Sequence, residues 1–448
     1  MSGAMTSKRR LLEYGIAALA IILVAATSYV LWVNQRDEEP VASEPTPSAV
    51  SGVPTGPAQQ VDRDRVERGR YLATAGNCMS CHTARGGEPF SGGRPVDTPF
   101  GTIYSTNLTP HRDTGLGRWN SQYFWRAMHN GRSRDGRLLY PAFPYPNFTR
   151  VTREDSDALF AYLQSLEPVA KAPTPNTLGF PFNTQVALAV WRALFFDPGT
   201  YRADPQRDAS WNRGAYLVQG LGHCNACHSA RNTFGATSSN LDLSGGLIPV
   251  QNWYAPSLSD PIQAGVQPWP AAEVVALLKS GFTDRAAVQG PMAEVVWGST
   301  QYLRDDDLRA MADYLKALPE TGHHAASPTV PEAADKPALE KGARLYTQHC
   351  ARCHGDNGEG VPGAYPRLAG NRAVAMSPPA NLVRIILAGG FAPATAANPR
   401  PYGMQPFATI LDNNDIAAVT SYIRANWGNN APMVTPLDVD RLRVGTER

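Results

Sequence analysis

The chain has 448 residues, so a typical domain size of about 150 residues predicts about three domains. The formal net charge is only +2, which gives no electrostatic footprint for nucleic acid and excludes that class of partner. A hydrophobic content of 43% excludes a wholly disordered chain, and six cysteines are too few for a scaffold built on disulfides.

The first predicted element is an apolar segment over residues 11–33, in which only Glu13 is charged. Its 23 residues exceed the roughly 20 that a helix needs to cross a bilayer. Basic residues at positions 8–10 precede it, so the positive-inside rule predicts that residues 1–36 form a cytoplasmic stub and a transmembrane anchor. A signal peptide cleaved near Ala26 is the alternative, and it exports the remainder of the chain to the same side of the membrane.

All six cysteines fall in three frames with the pattern Cys-x-x-Cys-His. In such a frame the two thiols add to the vinyl groups of a haem, and the histidine is held under the iron. A thioredoxin-like motif does not need the histidine, and a zinc site needs four ligands from nearby segments. The pattern therefore predicts three covalently bound haem c groups. The frames are Cys78, Cys81 and His82; Cys224, Cys227 and His228; and Cys350, Cys353 and His354.

The sequence around each frame also repeats. A glycine and a tyrosine lie in a short helical pattern before the cysteines, as Gly69 with Tyr71, Gly214 with Tyr216, and Gly342 with Tyr346. After each frame, an acidic start is followed by apolar residues at helical spacing, which predicts helices over 154–166, 305–318 and 412–427.

These repeats divide the exported part of the chain into three domains. A polar, Pro- and Ser-rich linker over 37–62 comes first, and a second Pro-rich linker covers about 167–181. An additional helix is expected over 183–196, before the second frame. The predicted domains are 63–170, 182–320 and 337–430, with a C-terminal tail over 431–448.

A methionine opposite the histidine would give the iron a second axial ligand and raise its reduction potential. Class I cytochromes c carry that methionine in an irregular loop before the last helix. Met404 lies in such a loop 18 residues before Tyr422, and Met292 lies 22 residues before Tyr314. Both are predicted iron ligands, and the alternative for each is a methionine that only fills the core.

The first unit departs from this rule, because Phe143 occupies the position of the methionine, 19 residues before Tyr162. Phenylalanine cannot bind iron. The iron would then have five ligands, or it would be bound by a residue from elsewhere, such as Met128, His129 or His111. Each of these three can equally be structural.

The pattern resembles the triheme cytochrome c subunits of bacterial membrane-bound dehydrogenases, which serve alcohol, gluconate and aldehyde dehydrogenases. The resemblance covers roughly residues 63 to 430. The matching stretches are 68–72, 107–110, 139–145, 290–296 and 299–303.

This resemblance implies a mainly α fold with three class I cytochrome c domains in tandem after one transmembrane helix. It implies that the chain is a non-catalytic electron-transfer subunit on the periplasmic side of the inner membrane. A separate catalytic subunit would oxidise the substrate. A small iron–sulfur or other accessory subunit would be a further partner. Electrons would then pass to ubiquinone or to a terminal oxidase.

Phe143 departs from the form of the motif that has methionine at this position, and this favours one class of partner. We expect an aldehyde dehydrogenase with a molybdenum cofactor and an iron–sulfur subunit, ahead of a quinoprotein or flavoprotein alcohol or gluconate dehydrogenase. Two other functions stay open. The chain could be a cytochrome c subunit of a haem–copper terminal oxidase, or a haem enzyme that uses an open site at the first haem.

Overall fold

The computed structural model describes residues 2–35, 57–237, 242–321 and 336–443. Most of the predicted linker 37–62 and the last five residues of the tail lie outside the described residues. The described chain consists of an N-terminal helix and three helical units, each with its own apolar core.

The N-terminal helix, α1, runs from Ser2 to Gln35. Within it, the 23 residues Glu13–Gln35 have a mean hydropathy of 2.4, and nearly all of their side chains face outward. This segment is long and apolar enough to cross a membrane, because 23 helical residues span about 34 Å. The predicted span 11–33 lies wholly within α1.

The first unit contains five helices and one hairpin. The strands pair antiparallel, with Val96 opposite Ile103. The side chains of Asn120 and Thr152 cap the fourth and sixth helices of the chain, because each accepts a hydrogen bond from a backbone N–H in the first turn. The elements are α2 (Pro57–Ala75), α3 (Cys78–Cys81), β1 (Pro95–Thr98), β2 (Gly101–Tyr104), α4 (Ser121–Asn130), α5 (Tyr145–Phe148) and α6 (Arg153–Gln164).

Residues 167–181, which the sequence predicts as a linker, are fixed on the first unit instead. The backbone N–H of Thr177 donates to the carbonyl of Thr102 at 2.9 Å, and that of Gly179 donates to the carbonyl of Phe100 at 3.0 Å. The segment therefore runs along β2, whose outer edge provides backbone partners for it. Pro-rich composition indicates only that the segment is not helical, and it does not predict this pairing.

The second unit is preceded by the additional helix that the sequence predicts, α7 (Gln185–Phe195). A π-helical turn, Leu217–Leu221, continues the next helix towards the second frame. The remaining elements are α8 (Ala209–Tyr216), α9 (Asn225–His228), β3 (Gly246–Leu247), β4 (Tyr254–Ala255), α10 (Ala271–Ser280), α11 (Pro291–Gly298), a short 3₁₀ helix (Thr300–Tyr302) and α12 (Asp305–Lys316).

The third unit extends beyond the boundary that the sequence predicts. Part of the predicted tail 431–448 forms a helix that packs on the third core, in which Val434 and Val439 are buried. The elements are α13 (Lys336–His349), α14 (Ala351–His354), α15 (Arg372–Ala375), α16 (Ala380–Ala388), β5 (Gly390–Phe391), β6 (Gly403–Met404), α17 (Asn413–Ala425) and α18 (Pro436–Arg443).

The same helix crossing forms the centre of each unit: α2 on α6, α8 on α12, and α13 on α17. A glycine of the first helix lies against a backbone carbonyl of the second, so that even a Cβ atom would not fit there. That Cβ would lie 1.9 Å from the Ala158 oxygen at Gly69, 1.9 Å from the Ala310 oxygen at Gly214, and 2.2 Å from the Ala418 oxygen at Gly342. Each frame follows the first helix of its pair, so the crossing fixes where the thiols emerge.

Candidate haem-binding sites

The three frames present their cysteines in the same way. None of the six cysteines, all of which lie in described residues, forms a disulfide, and the first cysteine of each frame packs against the core of its own unit. Burial raises the pKa of the Cys78 and Cys224 thiols to about 12 and that of Cys350 to about 11, and the second cysteine of each frame adds to this increase. These thiols therefore stay protonated at neutral pH, which disfavours a thiolate metal site.

Each frame histidine is oriented by a backbone carbonyl oxygen that lies later in the sequence. The Nδ1 atom lies 2.7 Å from the Thr106 oxygen in His82, 2.7 Å from the Pro256 oxygen in His228, and 3.0 Å from the Pro366 oxygen in His354. A carbonyl only accepts, so each Nδ1 carries the proton and donates it, which leaves the lone pair on Nε2. This is the arrangement by which proteins orient a metal-binding histidine.

Burial also lowers the pKa of all three histidines. Each imidazole is therefore neutral, as an iron ligand must be. The sequence could not identify the carbonyl partners, because they follow their histidines by 24, 28 and 12 residues. No fixed spacing marks them.

Of the two predicted methionine ligands, Met404 lies in a two-residue strand instead of an irregular loop. It is in β6, which pairs with Gly390–Phe391, and it packs against the third core together with Cys350. A thioether is therefore present in the same apolar core as the third frame, as binding to the same iron requires.

Met292 lies at the second position of helix α11, and the prediction of an irregular loop there is wrong. Gly290 has a φ of +55°, where glycine is favoured, and Pro291 then begins the helix with its fixed φ. The ring of Trp253 lies 2.7 Å from the place of a Cβ on Gly290, so the turn is tightly packed. Met292 is half-buried at this turn.

Phe143 packs in the first unit near the first frame. Its ring lies 5.3 Å from that of Phe148, and it contacts the core that also includes Cys78. Met128 is buried in the same core, with 5% of its surface exposed. The ring of His129 stacks on that of Trp125 at 4.5 Å, and His111 is hydrogen-bonded to Thr114.

The core of the second unit holds a hydrogen-bond donor that the protein itself does not satisfy. The indole N–H of Trp269 is buried, and within the described ranges it meets no acceptor. A haem is a flat apolar group that bears carboxylates, so an apolar core with an unpaired indole donor fits it. These residues are therefore suited to hold the group that the Cys-x-x-Cys-His frame implies.

The first and second frames are neighbours across the contact between their units. Burial raises the pKa of the Cys81 thiol, the positive charge of Arg94 lowers it, and electrostatic interactions with Glu294 and with the Cys227 thiol raise it. Cys227 belongs to the second frame, so the two frames are within electrostatic range of each other. Arg94 joins the two units, because it donates to the Ser80 carbonyl at 2.6 Å and to Glu294 at 2.9 Å.

A paired set of hydrogen bonds to two buried carboxylates holds the same two units together. Asp155 accepts from Arg68 of its own unit at 2.7 Å and from Tyr216 of the second unit at 2.5 Å. Asp307 repeats this arrangement with Arg213 of its own unit and Tyr71 of the first, at the same two distances. The two units are thus related by an approximate twofold exchange of tyrosine–carboxylate bonds.

The third unit attaches to the second through different residues. The side chain of Asn381 donates to the Tyr254 carbonyl at 2.7 Å and accepts from the Tyr254 N–H at 2.8 Å. The guanidinium of Arg372 lies 5.3 Å from the centre of the Trp269 ring and donates to the Gly265 carbonyl at 2.8 Å. The third unit therefore covers the side of the second unit that carries the unpaired indole.

The cytochrome c family model matches residues 66–167 and 339–427. The cytochrome c subunit of a quinone alcohol dehydrogenase from Gluconacetobacter polyoxogenes is 39% identical over 411 residues, which cover 88% of each chain. The cytochrome c subunit of gluconate 2-dehydrogenase from Pantoea cypripedii is 38% identical, over 84% of this chain and 89% of that one. One of the subunits of nicotinate dehydrogenase from Pseudomonas putida is 42% identical, over 82% of this chain and 31% of that protein.

This chain belongs to the family of cytochrome c subunits of membrane-bound dehydrogenases. The family resemblance predicted from its sequence is therefore confirmed, as is the mainly helical fold with one N-terminal apolar helix. Its cytochrome c domains imply covalently bound haem c and a role in electron transfer. Membership of the family also implies a partner subunit that carries out the dehydrogenation.

Proposed function

We propose that this cytochrome c subunit carries three haems and passes single electrons from a catalytic dehydrogenase subunit to ubiquinone or to a terminal oxidase. The observation that carries the proposal is the same construction repeated three times: two thiols next to a neutral histidine whose Nδ1 is held by a backbone carbonyl. Each haem, when bound, supplies a one-electron redox centre.

The middle unit is a third domain of the same kind in this proposal. Its helix crossing at Gly214 and Ala310 repeats the crossings of the two units that the family model matches. We assign the domains 63–170, 182–320 and 337–430, with the third extended by the helix up to Arg443.

The protein ligands follow from the frames. Cys78 and Cys81, Cys224 and Cys227, and Cys350 and Cys353 would form the thioethers. His82, His228 and His354 would bind the three irons. Met404 would supply a further iron ligand at the third site, and its place in the same core as Cys350 supports this. Met292 is the corresponding proposal for the second site, and its position at the start of α11 makes that site different in shape.

The first site is the exceptional one, because Phe143 offers no ligand atom. Of the predicted substitutes, Met128 is buried in the core that contains Cys78, which supports Met128 over His129. Without such a ligand, the first iron would stay open to small molecules. This observation keeps a haem enzyme with an open first site as a second candidate function.

The arrangement of the units supports a linear path for electrons. The first and second frames lie within electrostatic range through Cys81 and Cys227, and the third unit packs on the second beside Trp269. The second site is therefore the relay between the other two.

The helix α1 would anchor the subunit in the inner membrane, with the three domains on the periplasmic side. The catalytic partner in this proposal is an aldehyde dehydrogenase with a molybdenum cofactor and an iron–sulfur subunit. Phe143 in place of methionine supports this choice. Quinoprotein or flavoprotein alcohol or gluconate dehydrogenases are the alternative partners.

The experiment is purification of the tagged, haem-loaded subunit from detergent-solubilised membranes, with and without its partners. We expect the complex to reduce the haems when aldehyde is added, and the isolated subunit to show c-type absorption without oxidising aldehyde or alcohol. Turnover by the isolated subunit would contradict the proposal, and so would copurification with a haem–copper oxidase only. Carbon monoxide tests the first site, since binding to one third of the haem would indicate an open iron.

A further inference from the structure

The helix α7 carries an apolar stripe that the protein does not cover. Val186, Val190 and Leu194 recur every fourth residue, and their side chains are 74%, 41% and 64% exposed. Such spacing places them on one side of the helix. Phe180, which is 85% exposed, and Phe182 precede the helix and extend the apolar surface.

The polar contacts of α7 are made on other sides of the helix. The side chain of Arg192 is buried, with 4% exposed, and it donates to the carbonyl of Asn130 in the first unit. The indole of Trp191 donates to the carbonyl of Phe234 at 2.9 Å. The helix is therefore held in a defined orientation, with the apolar stripe facing away from the protein.

The end of the membrane-length helix α1 is bound to this same helix. Asn34, in the last turn of α1, donates from its side chain to the Ala189 carbonyl at 3.0 Å and accepts from Arg192 Nε at 3.0 Å. Its own carbonyl accepts from Arg132 of the first unit at 2.6 Å. Val33 and Asn34 are both 9% exposed, in contrast to the rest of the span.

These contacts set the height of α7 relative to a bilayer. The apolar span Glu13–Gln35 ends at Gln35, so its last turn lies where hydrocarbon gives way to headgroups. Because Asn34 is hydrogen-bonded to Ala189 in the middle of α7, α7 is at the same level. An apolar stripe on a helix at that level is what helices use to lie in a membrane interface.

We propose that α7 is a second membrane-contact element, and that Val186, Val190 and Leu194 rest on the lipids of the leaflet in which α1 ends. The proposal rests on the proposed role of α1 as an uncleaved anchor. Two contacts, one through the membrane and one along its surface, would fix the tilt of the first unit, which is bonded to both helices through Arg132 and Arg192. The first haem site would then lie next to the membrane.

The test uses a photoreactive benzophenone amino acid in the full-length, haem-loaded chain in its native membranes. Four separate variants carry it, each at one position: Val190 or Leu194 on the stripe, Leu23 in α1, or Leu437 in α18 of the third unit. Leu437 is 56% exposed and serves as the matched control for Leu194. After illumination, lipid adducts are counted by mass spectrometry.

We expect lipid adducts at positions 23, 190 and 194, severalfold above position 437. Adducts at position 23 without adducts at 190 and 194 would overturn the membrane contact and leave the anchor intact. Crosslinks from 190 or 194 to another polypeptide would also overturn it, because a protein would then cover the stripe. Absence of lipid adducts at position 23 would refute the anchor itself, and with it the proposal.

Discussion

All three units share one helix crossing, but the first two differ from the third in what surrounds the acidic residue at the start of the second helix of that crossing. Asp155 and Asp307 are almost fully buried, with 2% and 6% of the side chain exposed, and each binds an arginine of its own unit and a tyrosine of the other. Asp415 is 23% exposed, and Lys341 of its own unit binds it.

One sequence position explains the difference. Tyr71 and Tyr216 lie two residues after the glycine of the crossing, where the third unit has Arg344 after Gly342. Tyr346, two residues further on, is buried inside its own unit and donates to the carbonyl of Gly355 at 2.6 Å. The comparison indicates that the first two units form one cooperative body, to which the third is attached as a separate one.

The largest loss of unfolding free energy is expected from Asp307→Ala. This change leaves the half-buried Arg213 guanidinium and the Tyr71 hydroxyl without their acceptor. Removing one partner of a buried pair costs about 3–5 kcal/mol. Hydrogen–deuterium exchange should therefore speed up in helices of both the first and the second units and stay unchanged in the third.

Asp415→Ala is the matched control for that change in the third unit. Because Asp415 is more exposed, its replacement removes only an exposed ion pair and one capping hydrogen bond, and the free energy of unfolding should fall by about 1 kcal/mol, within that unit. An equal loss of unfolding free energy from the two substitutions would remove the distinction between the two regions. Faster exchange that stays within the second unit after Asp307→Ala would remove it as well.

A smaller loss of unfolding free energy is expected from Tyr71→Phe. This change keeps the ring and removes one hydrogen bond between the first and second units. A hydrogen bond to a charged group contributes about 1.5–3 kcal/mol. The approximate symmetry predicts a similar loss for Tyr216→Phe, measured by denaturant unfolding of the haem-loaded chain. Tyr346→Phe is the comparison in the third unit and should leave the exchange of the first two units unaffected.

The decrease in the free energy of unfolding at acid pH (the acid limb of the stability curve) should depend on Asp307. Burial acts to raise its pKa, but hydrogen bonds from Arg213 and Tyr71 and the arginine charge outweigh this, so the folded pKa is below the usual value. The stability that this carboxylate contributes is thus complete above the unfolded pKa of about 4, and it is lost as the pH falls through the lower folded pKa. Asp307→Asn should flatten this limb in unfolding measured from pH 5 to 2, and an unchanged limb would contradict the assignment.

The smallest effect is expected from Lys341→Met in the third unit. The lysine is 40% exposed, and exposed ion pairs contribute about 1 kcal/mol or less. Denaturant unfolding at low and high salt should show a small loss that salt reduces. A loss as large as that of Asp307→Ala would mean that the third unit depends on this pair as strongly as the others depend on theirs.

The sequence predicted the local features of this molecule well. Helical spacing of apolar residues placed the second helix of each crossing within about two residues, since an amphipathic helix is determined by its own residues. The glycines at the crossings were visible as repeats, although their contact with a carbonyl was not. The pattern also grouped Tyr346 with Tyr71 and Tyr216, but it did not predict that Tyr71 and Tyr216 cross a unit boundary while Tyr346 bonds within its own unit.

What the sequence could not predict depends on contacts between distant segments. The carbonyl partners of the histidines, the packing of residues 167–181 on β2 and the docking of Asn34 on α7 are all of this kind. Met292 shows the limit of a local rule, because Gly290 and Pro291 are typical of a loop and equally of a helix start. The sequence offered no signal to choose between the two.

The central claim is that three haems are covalently attached to one chain, and the intact mass of the denatured subunit tests it most directly. The chain, produced with a cytochrome c maturation system, should exceed the polypeptide mass by three haems, and Cys224→Ala together with Cys227→Ala should reduce this to two. A wild-type mass with only two added haems, unchanged in that double variant, would contradict the account of the middle unit, and a mass without added haem would contradict the whole account.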